Sequence, residues 1–451
     1  MAAALGLQLN LLLWPASAYA LTNGSCLLLA GSVADVVGTR HVNLVGCLLI
    51  SIFILACGFA HNGSELIAFR ALQGVAGALA VPTGMSIISN SVERGPRRNI
   101  GFAMLGLAQP LGYSFGLVLG GVFTDELGWR VGFYICAAGG FLLTVIGIWS
   151  LPKDAKNHSG ATVWTRLARE VDWVGTVLLC AALSLFSYVL AMLSAQADSI
   201  KKSSSIAMLI LSAVMIVGFA AWMNRQERLR KPALIPNSFW KKKAFTSICI
   251  MTVLVWAVIN GMELFSSLFF QKVQSLSALQ ASIRLIPNVV VGIACNFFTG
   301  YFVAKVPAIY SVIGSCILGA VAPLLMAVNN PQWPYWYDAF FAQCLAPLAV
   351  DTLFTIGLLI VSDVFPRNTQ ALAGAVFNTL AQVGTSIGLC VMSVISNSVA
   401  EDSGYKDKTG PQALLEGYRA TFWAQFAWSA LAVGIGLFGL RKMDGFGGKH
   451  A

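Results

Sequence analysis

Residues 42–60 read VNLVGCLLISIFILACGFA and contain no charged side chain. A helix that crosses a bilayer needs about 20 mostly apolar residues, so this run is long enough to span a membrane. The runs are continuous and do not alternate in polarity, which excludes a transmembrane β-barrel. We therefore expect an all-α polytopic membrane protein. Thirteen such runs occur along the chain, at residues 11–32, 42–60, 66–90, 100–123, 129–151, 171–195, 205–223, 244–270, 279–303, 307–328, 335–362, 371–395 and 418–440.

The composition of the whole chain agrees with these runs. Of the 451 residues, 57% are hydrophobic and 11% are charged, whereas a soluble globular chain carries about 25% charged residues. So few charges could not cover a water-exposed surface of this size. A soluble enzyme and an intrinsically disordered chain are therefore both excluded, and the lipid bilayer is the main solvent.

Lys and Arg residues are concentrated in alternate loops, above all at 91–99, 152–170 and 224–243. Basic residues mark the cytoplasmic side of a membrane protein, so we expect these loops and the C-terminus to be cytosolic. With thirteen spans, the N-terminus then lies outside. The net charge of +10 thus orients the chain and does not indicate nucleic-acid binding. For the 224–243 loop, binding to anionic lipids is an alternative to this orienting role.

Motifs for enzymatic or ATP-driven chemistry are absent from the sequence. It contains no G-x-x-x-x-G-K-[ST] phosphate loop and no H-E-x-x-H metal motif. Residues 384–388 match G-x-S-x-G, but they lie inside an apolar run, so helix packing is the better interpretation. The ten cysteines also lie in apolar runs and form no C-x-x-C pair, which favours apolar filler over disulfides or a metal site. We expect no enzyme, no cofactor and no bound metal.

Two acidic residues lie deep inside predicted spans. Glu263 is near the centre of 244–270, with Asn260 and Ser267 on the same helical face, and Asp351 is inside 335–362. A charge at the bilayer centre costs about 2.5–3.5 kcal/mol even on insertion scales, and such residues usually mark a transport pathway. We expect both carboxylates to bind a proton or a substrate. Structural pairing of each with another residue is the alternative.

Polar stripes on other spans indicate a cavity between helices. Arg70, Gln73, Gly74 and Gly77 share one face, where the glycines allow a close approach of another helix. Polar faces of this kind are expected where a carrier binds its substrate near the middle of the membrane. The side chains expected to line this cavity are Gln73, Gln109, Asn260, Asn378 and Gln382. The glycines expected to form a smooth packing groove on 100–123 are Gly112, Gly116, Gly120 and Gly121.

Two segments resemble motifs of the major facilitator superfamily. Residues 31–40 read GSVADVVGTR and resemble its G-x-x-x-D-x-x-G-x-R/K loop, and residues 70–74 read RALQG and resemble its R-x-x-Q-G motif. The resemblance implies that Asp35 and Arg40 help to close the cytosolic side of the carrier. It also implies that Arg70 takes part in proton transfer.

A third segment points to one branch of this superfamily. Residues 116–121 read GLVLGG and resemble the antiporter motif G-P-x-x-G-G, with Leu117 in place of the proline. The chain is similar to the fourteen-span drug:proton antiporters of fungal type, near the aminotriazole-resistance and boron-efflux proteins. That branch has six core spans, two linker spans and six core spans, whereas five, two and six are found here, so we expect the first span to be lacking. The implied parts are two pseudo-repeated halves at 1–151 and 244–451, with linker spans at 152–243.

The resemblance implies a secondary active transporter that exports a small organic compound by alternating access, driven by protons. The compound would be a toxin, a drug or a secondary metabolite. We expect a monomer in the plasma membrane, with the vacuolar membrane as the alternative. Other functions left open are a non-transporting sensor or remnant, a facilitator of a small solute such as boric acid, and a membrane-bound enzyme. The sequence does not identify the substrate.

Overall fold

The computed structural model describes residue 5 and residues 14–92, 96–153, 162–195, 202–231, 233–302, 307–365 and 367–441, without some of the side chains within these ranges. This part of the chain is helical and contains no β-strand. Its α-helices are α1 (Trp14–Val37), α2 (Thr39–Phe59), α3 (Gly63–Ser91), α4 (Pro96–Val122), α5 (Trp129–Ser150), α6 (Val163–Glu170), α7 (Trp173–Ala195), α8 (Ser203–Arg228), α9 (Lys243–Leu268), α10 (Ala278–Phe302), α11 (Ala308–Val328), α12 (Ala339–Val364), α13 (Arg367–Asp402) and α14 (Pro411–Gly439). Short π-helical turns continue α4 and α9 at Phe123–Leu127 and Phe269–Val273.

Within the described residues, twelve of these helices are long and apolar enough to cross a membrane. They correspond to twelve of the thirteen predicted spans. The remaining prediction, 100–123, coincides with α4, a helix of 27 residues, several of whose side chains lie outside the described residues. The expectation of an all-α polytopic membrane protein is confirmed.

Helix ends differ from the prediction where polar residues continue a helix beyond its apolar run. The helix α13 has 36 residues and extends past both ends of the predicted span 371–395. The short helix α6 lies in the polar segment 152–170, where no helix was predicted, and an ion pair of 3.1 Å joins Arg166 to Glu170 on it. A search for apolar runs does not detect such helical turns, because their side chains face water and carry charge.

The helices form two compact units. One unit comprises residues 1–98, 127–242 and 361–386, and the other comprises residues 99–126, 243–360 and 387–451. The first contains α1–α3, α5–α8 and the beginning of α13. The second contains most of α4, together with α9–α12, the end of α13 and α14. The helix α4 therefore packs with the C-terminal helices, although it precedes them in the chain by more than a hundred residues.

In the first unit, α3 packs against both α1 and α2, and α2 packs against α5. The helices α2 and α3 approach closely at Gly46, where an added Cβ would lie 2.9 Å from the Cβ of Leu79. Beside this contact, the Asn43 amide donates to the Ala80 carbonyl at 3.1 Å and to the Thr83 hydroxyl at 2.9 Å. Small residues and interhelical hydrogen bonds of this kind hold helices together in lipid, where the hydrophobic effect does not.

In the second unit, α9 packs against α10 and α14, and α14 packs against α11. Gly388 of α13 lies directly against the backbone of Ala257 in α9, so any side chain at position 388 would overlap that helix. This contact agrees with helix packing as the interpretation of the G-x-S-x-G match at 384–388. Because α9 is held from several sides, its polar face is fixed toward the cavity described next.

Candidate functional site: a cavity with two carboxylates

A cavity of about 140 Å³ lies inside the second unit. It brings together Asn260, Glu263 and Asp351, which the sequence indicated separately on two different spans. Helices α4, α9, α10 and α12 all contribute to its wall. The described residues that line it are Gly106, Trp256, Ile259, Asn260, Glu263, Asn288, Val289, Pro347, Val350, Asp351 and Phe354.

Asp351 is half-buried and is held by a polar cluster between α10 and α12. The Asn296 side chain is next to Asp351. Its Nδ2 atom donates to the Gly292 carbonyl at 3.0 Å, and its Oδ1 atom accepts a hydrogen bond of 2.9 Å from the Thr355 hydroxyl. An added Cβ on Gly106 would lie 3.2 Å from that Oδ1 atom. The glycine therefore lets α4 approach the cluster, and the cluster fixes the position of the carboxylate.

On α9, Glu263 and Asn260 both face the cavity, as their spacing predicted. The Asn260 amide donates to the Trp256 carbonyl one turn earlier, at 2.9 Å. Ser267, expected on the same face, is not part of the cavity wall and accepts a hydrogen bond of 2.9 Å from Gln271. On α9, the polar face that lines the cavity therefore includes Asn260 and Glu263 and not Ser267.

Sequence reasoning missed Asn288 on α10. It is 7% exposed, and its Nδ2 atom is buried without a hydrogen-bond partner among the described residues. The sequence could have indicated a polar face on α10, because Asn288 and Asn296 are eight residues apart and thus on one helical face. The aromatic wall was missed as well: the rings of Trp256 and Phe354 meet edge to face with 6.0 Å between their centroids.

Arg70 lies in the first unit, where it contacts neutral groups. Its Nη1 atom donates to the side-chain oxygen of Gln73 at 3.1 Å, and its guanidinium lies 5.3 Å from the centre of the Phe133 ring. Among the described residues, the contacts of Arg70 are thus to an amide and to an aromatic ring. Gln73 is in the first unit and is not among the residues that line the cavity described above. The expected role of Arg70 in proton transfer and that of Gln73 in lining a substrate cavity stay predictions.

The glycines next to Arg70 do bring α1 and α3 together. Any Cβ on Gly74 would overlap the Thr22 hydroxyl and the Tyr19 carbonyl, and on Gly77 it would lie 2.6 Å from the Asn23 amide nitrogen. Thr22 donates to the Ala71 carbonyl at 2.7 Å, and Asn23 donates to the Gly74 carbonyl at 3.3 Å. The close approach predicted from the stripe is therefore present in the structure.

The two residues expected at the cytosolic gate lie on consecutive helices. Asp35 is an exposed residue in the last turn of α1. Arg40 is in the first turn of α2, and its Nη2 atom donates to the Ile148 carbonyl near the end of α5 at 2.5 Å. The described hydrogen bond of Arg40 is thus to the backbone of α5, and a gating role of both residues stays a prediction.

Asn378 and Gln382, two further residues predicted to line a substrate cavity, are not among the described residues that line this one. Asn378 donates to the Gly374 carbonyl at 2.9 Å and to the Met85 sulfur at 3.3 Å, and Gln382 packs against Gly24 of α1. Both are in the first unit. The side chain of Gln109 lies outside the described residues.

The four glycines predicted to form a packing groove on α4 differ in their surroundings. An added Cβ on Gly112, Gly116 or Gly120 would meet no described atom within 4 Å, and these three positions are exposed. Gly121 is buried, and its Cβ would lie 3.5 Å from the Cα atom of Leu279 on α10. Gly121 therefore faces α10, and a helix-packing role of the four glycines stays a prediction.

The cavity is suited to binding and not to bond breaking. Its two carboxylates can each take up or release a proton, and its amides can orient a polar ligand. Its aromatic and aliphatic walls can surround an apolar group. All of these groups are on helices that are long and apolar enough to span a membrane, so the cavity lies within the membrane-spanning part of the second unit.

Comparison with known proteins identifies the family of the chain. The sequence profile of the Major Facilitator Superfamily matches residues 1–389. The chain is 40% identical to MFS-type transporter 1 of Pyricularia oryzae over 96% of this chain and 78% of that protein. It is 25% identical to the aminotriazole resistance protein of Saccharomyces cerevisiae over 95% of this chain and 75% of that protein.

The fold agrees as well. The crystal structure of the human organic anion transporter MFSD10 superposes with a TM-score of 0.63 at 15% identity, over 94% of this chain and 83% of that one. At this identity the similarity concerns the fold alone. The chain therefore belongs to the Major Facilitator Superfamily and is a multi-pass membrane transporter, not an enzyme.

Proposed function

We propose that the chain exports a small organic compound in exchange for protons, by alternating access. The observation that carries the proposal is the pair of carboxylates, Glu263 and Asp351, on the wall of a single cavity within the membrane-spanning helices. A carrier that exchanges a compound for protons needs a group that holds a proton in one half of its cycle and releases it in the other. A carboxylate at a polar cavity can do this.

One further observation supports export, and another supports a functional charge in the first unit. The aminotriazole resistance protein of yeast is named for resistance to a toxic compound, which is the outcome expected when such a compound leaves the cell. The Arg70–Gln73 pair in the first unit supplies a fixed positive charge among membrane-spanning helices, where isolated charges are costly and usually functional. We place the carrier in the plasma membrane and expect it to work as a monomer.

The test is transport by the purified full chain in liposomes, with radiolabelled aminotriazole and a panel of small amines, alcohols and acids as probes. A pH gradient that is acid inside should drive uptake of at least one compound, because protons leaving the vesicle would be exchanged for it. Nigericin, which collapses the gradient, should abolish this uptake. Uptake that continues unchanged without the gradient would refute proton coupling and indicate a facilitator.

Variants separate proton coupling from binding. Asp351→Asn should lose gradient-driven uptake and, at a saturating concentration of the compound, keep exchange of labelled for unlabelled compound, because exchange needs no net proton movement. Arg70→Ala should insert in the membrane and lose uptake. Asp402→Asn, at the exposed end of α13, is the matched control for Asp351→Asn, and Arg166→Ala on α6 is the matched control for Arg70→Ala. Each control removes a charge of the same sign at a residue that does not line the cavity. Full uptake by both Asp351→Asn and Arg70→Ala would contradict their assigned roles.

A further inference from the structure

We infer that the cavity binds small organic cations, namely amines with a single positive charge, and that Glu263 and Asp351 together hold the ammonium group. The juxtaposition that carries this inference is two carboxylates and two aromatic rings around one small cavity. The inference rests on the proposed function, since it names the class of compound that the same site would carry. It does not depend on proton coupling.

The charge of the cavity favours a cation. Its described wall contains two acidic side chains and no Lys or Arg. The basic residue on α10, Arg284, is one turn from Asn288 but is not part of the wall. Its guanidinium bonds to the Gln274 side chain and lies 5.4 Å and 5.3 Å from the ring centres of Phe270 and Tyr335. An anion entering the cavity would therefore meet two carboxylates without a compensating base on the described wall.

The aromatic wall favours the same class of ligand. Trp256 and Phe354 lie on α9 and α12, the two helices that carry Glu263 and Asp351. A cation above the face of a Trp or Phe ring is stabilised by the negative face of the ring, and the interaction is stronger where water is excluded. Trp256 is 9% exposed, so its ring is largely shielded from water.

The size of the cavity limits the cation. A cavity of about 150 Å³ in another protein holds one benzene molecule, and the volume here is about 140 Å³. A single-ring or short-chain amine therefore fits, whereas a multi-ring drug does not fit in this conformation. The buried amide nitrogen of Asn288, which has no partner among the described residues, can donate to a second polar group on such a ligand.

The experiment compares three ligands of one size and shape that differ in charge: benzylammonium, benzyl alcohol and benzoate. Binding to the purified full chain in detergent is measured by isothermal titration calorimetry at neutral pH. We expect benzylammonium to bind about tenfold or more tightly than benzyl alcohol, and benzoate to bind more weakly than either, as charge-assisted hydrogen bonds are roughly twice as strong as neutral ones.

Variants assign the effect to the two carboxylates. Glu263→Gln and Asp351→Asn should each weaken benzylammonium binding by about tenfold or more and change benzyl alcohol binding by less than about twofold. Asp402→Asn, which removes an exposed carboxylate of α13, should leave all three ligands unaffected. Thermal unfolding of each variant, followed by tryptophan fluorescence, identifies a variant that has lost its fold. The variant Glu263→Asp keeps a carboxylate at this position and should therefore bind the amine more tightly than Glu263→Gln does.

The inference is overturned if benzyl alcohol or benzoate binds as tightly as benzylammonium, or if both neutralised variants keep full amine affinity. These results are independent of the transport test. Calorimetry needs no proton gradient, so selective amine binding without gradient-driven uptake would refute proton coupling and keep the ligand class. Gradient-driven uptake of neutral compounds alone would refute the ligand class and keep the proposed function.

Discussion

Substitution of Gly74 by alanine tests the contact that joins α1 to α3. A Cβ at this position would overlap both the Thr22 hydroxyl and the Tyr19 carbonyl. The hydroxyl can rotate away, but the carbonyl belongs to the backbone, so α1 must move as a helix. That movement would also stretch the 2.7 Å hydrogen bond from Thr22 to the Ala71 carbonyl.

The expected loss of stability follows from the overlap and from the stretched hydrogen bond. Overpacking of a well-packed contact costs about 1–3 kcal/mol, and an interhelical hydrogen bond in a membrane protein is worth about 0.6 kcal/mol. Alanine favours a helix over glycine by about 1 kcal/mol, which offsets part of this cost. We therefore expect Gly74→Ala to lower the free energy of unfolding by about 1–3 kcal/mol. At about 2–4 °C per kcal/mol for a unit of this size, Tm should fall by about 2–12 °C.

The assay is thermal unfolding of the purified chain in detergent, followed by tryptophan fluorescence. The matched control is Gly116→Ala on α4, where an added Cβ meets no described atom within 4 Å. That substitution should leave Tm unchanged or raise it, because alanine favours helix over glycine by about 1 kcal/mol. A Gly74→Ala chain as stable as Gly116→Ala would refute the close approach of α1 and α3.

Two further substitutions test the polar contacts of the second unit. Asn296→Leu removes the amide between Asp351 and Thr355 and should lower the free energy of unfolding by about 1–3 kcal/mol; an unchanged Tm would contradict a structural role for this amide. Burial raises the pKa of Asp338, just before α12, so the folded carboxyl holds its proton more tightly than the unfolded one. Its ionisation therefore destabilises the fold as pH rises from the unfolded pKa of about 3.9 through the folded value. Asp338→Asn should raise Tm at neutral pH and leave it unchanged at a pH below both values, and equal Tm values at neutral pH would argue against this burial effect.

Several parts of the candidate site were predictable because polar residues stand out in apolar runs. Glu263 and Asp351 are conspicuous in their spans, and Asn260 shares a helical face with Glu263 by spacing alone. Asn288 was not predicted, because which face α10 turns inward depends on the helices around it. Gly106 was missed for the same reason. Its role depends on its closeness in space to the side chain of Asn296, which is far from it along the chain.

The glycines show the same limit. Four of them on α4 suggested a packing groove, yet an added Cβ would lie within 4 Å of a described atom at Gly121 and not at Gly112, Gly116 or Gly120, whereas on α3 it would do so at both Gly74 and Gly77. Spacing identifies which residues share a face. It does not determine whether that face meets another helix, lipid or open space, because this depends on the rotation of the helix within the bundle.

The sequence by itself determined that this chain is a bundle of membrane-spanning helices and that it resembles the major facilitator superfamily. It did so because the length of an apolar run and the order of short motifs are local properties. Only the tertiary structure decided that Glu263 and Asp351 share one cavity, and that Arg70 and Gln73 belong to a different unit. The physical reason is that helix packing is set by many small contacts between distant segments, and these place side chains together that no spacing along the chain relates.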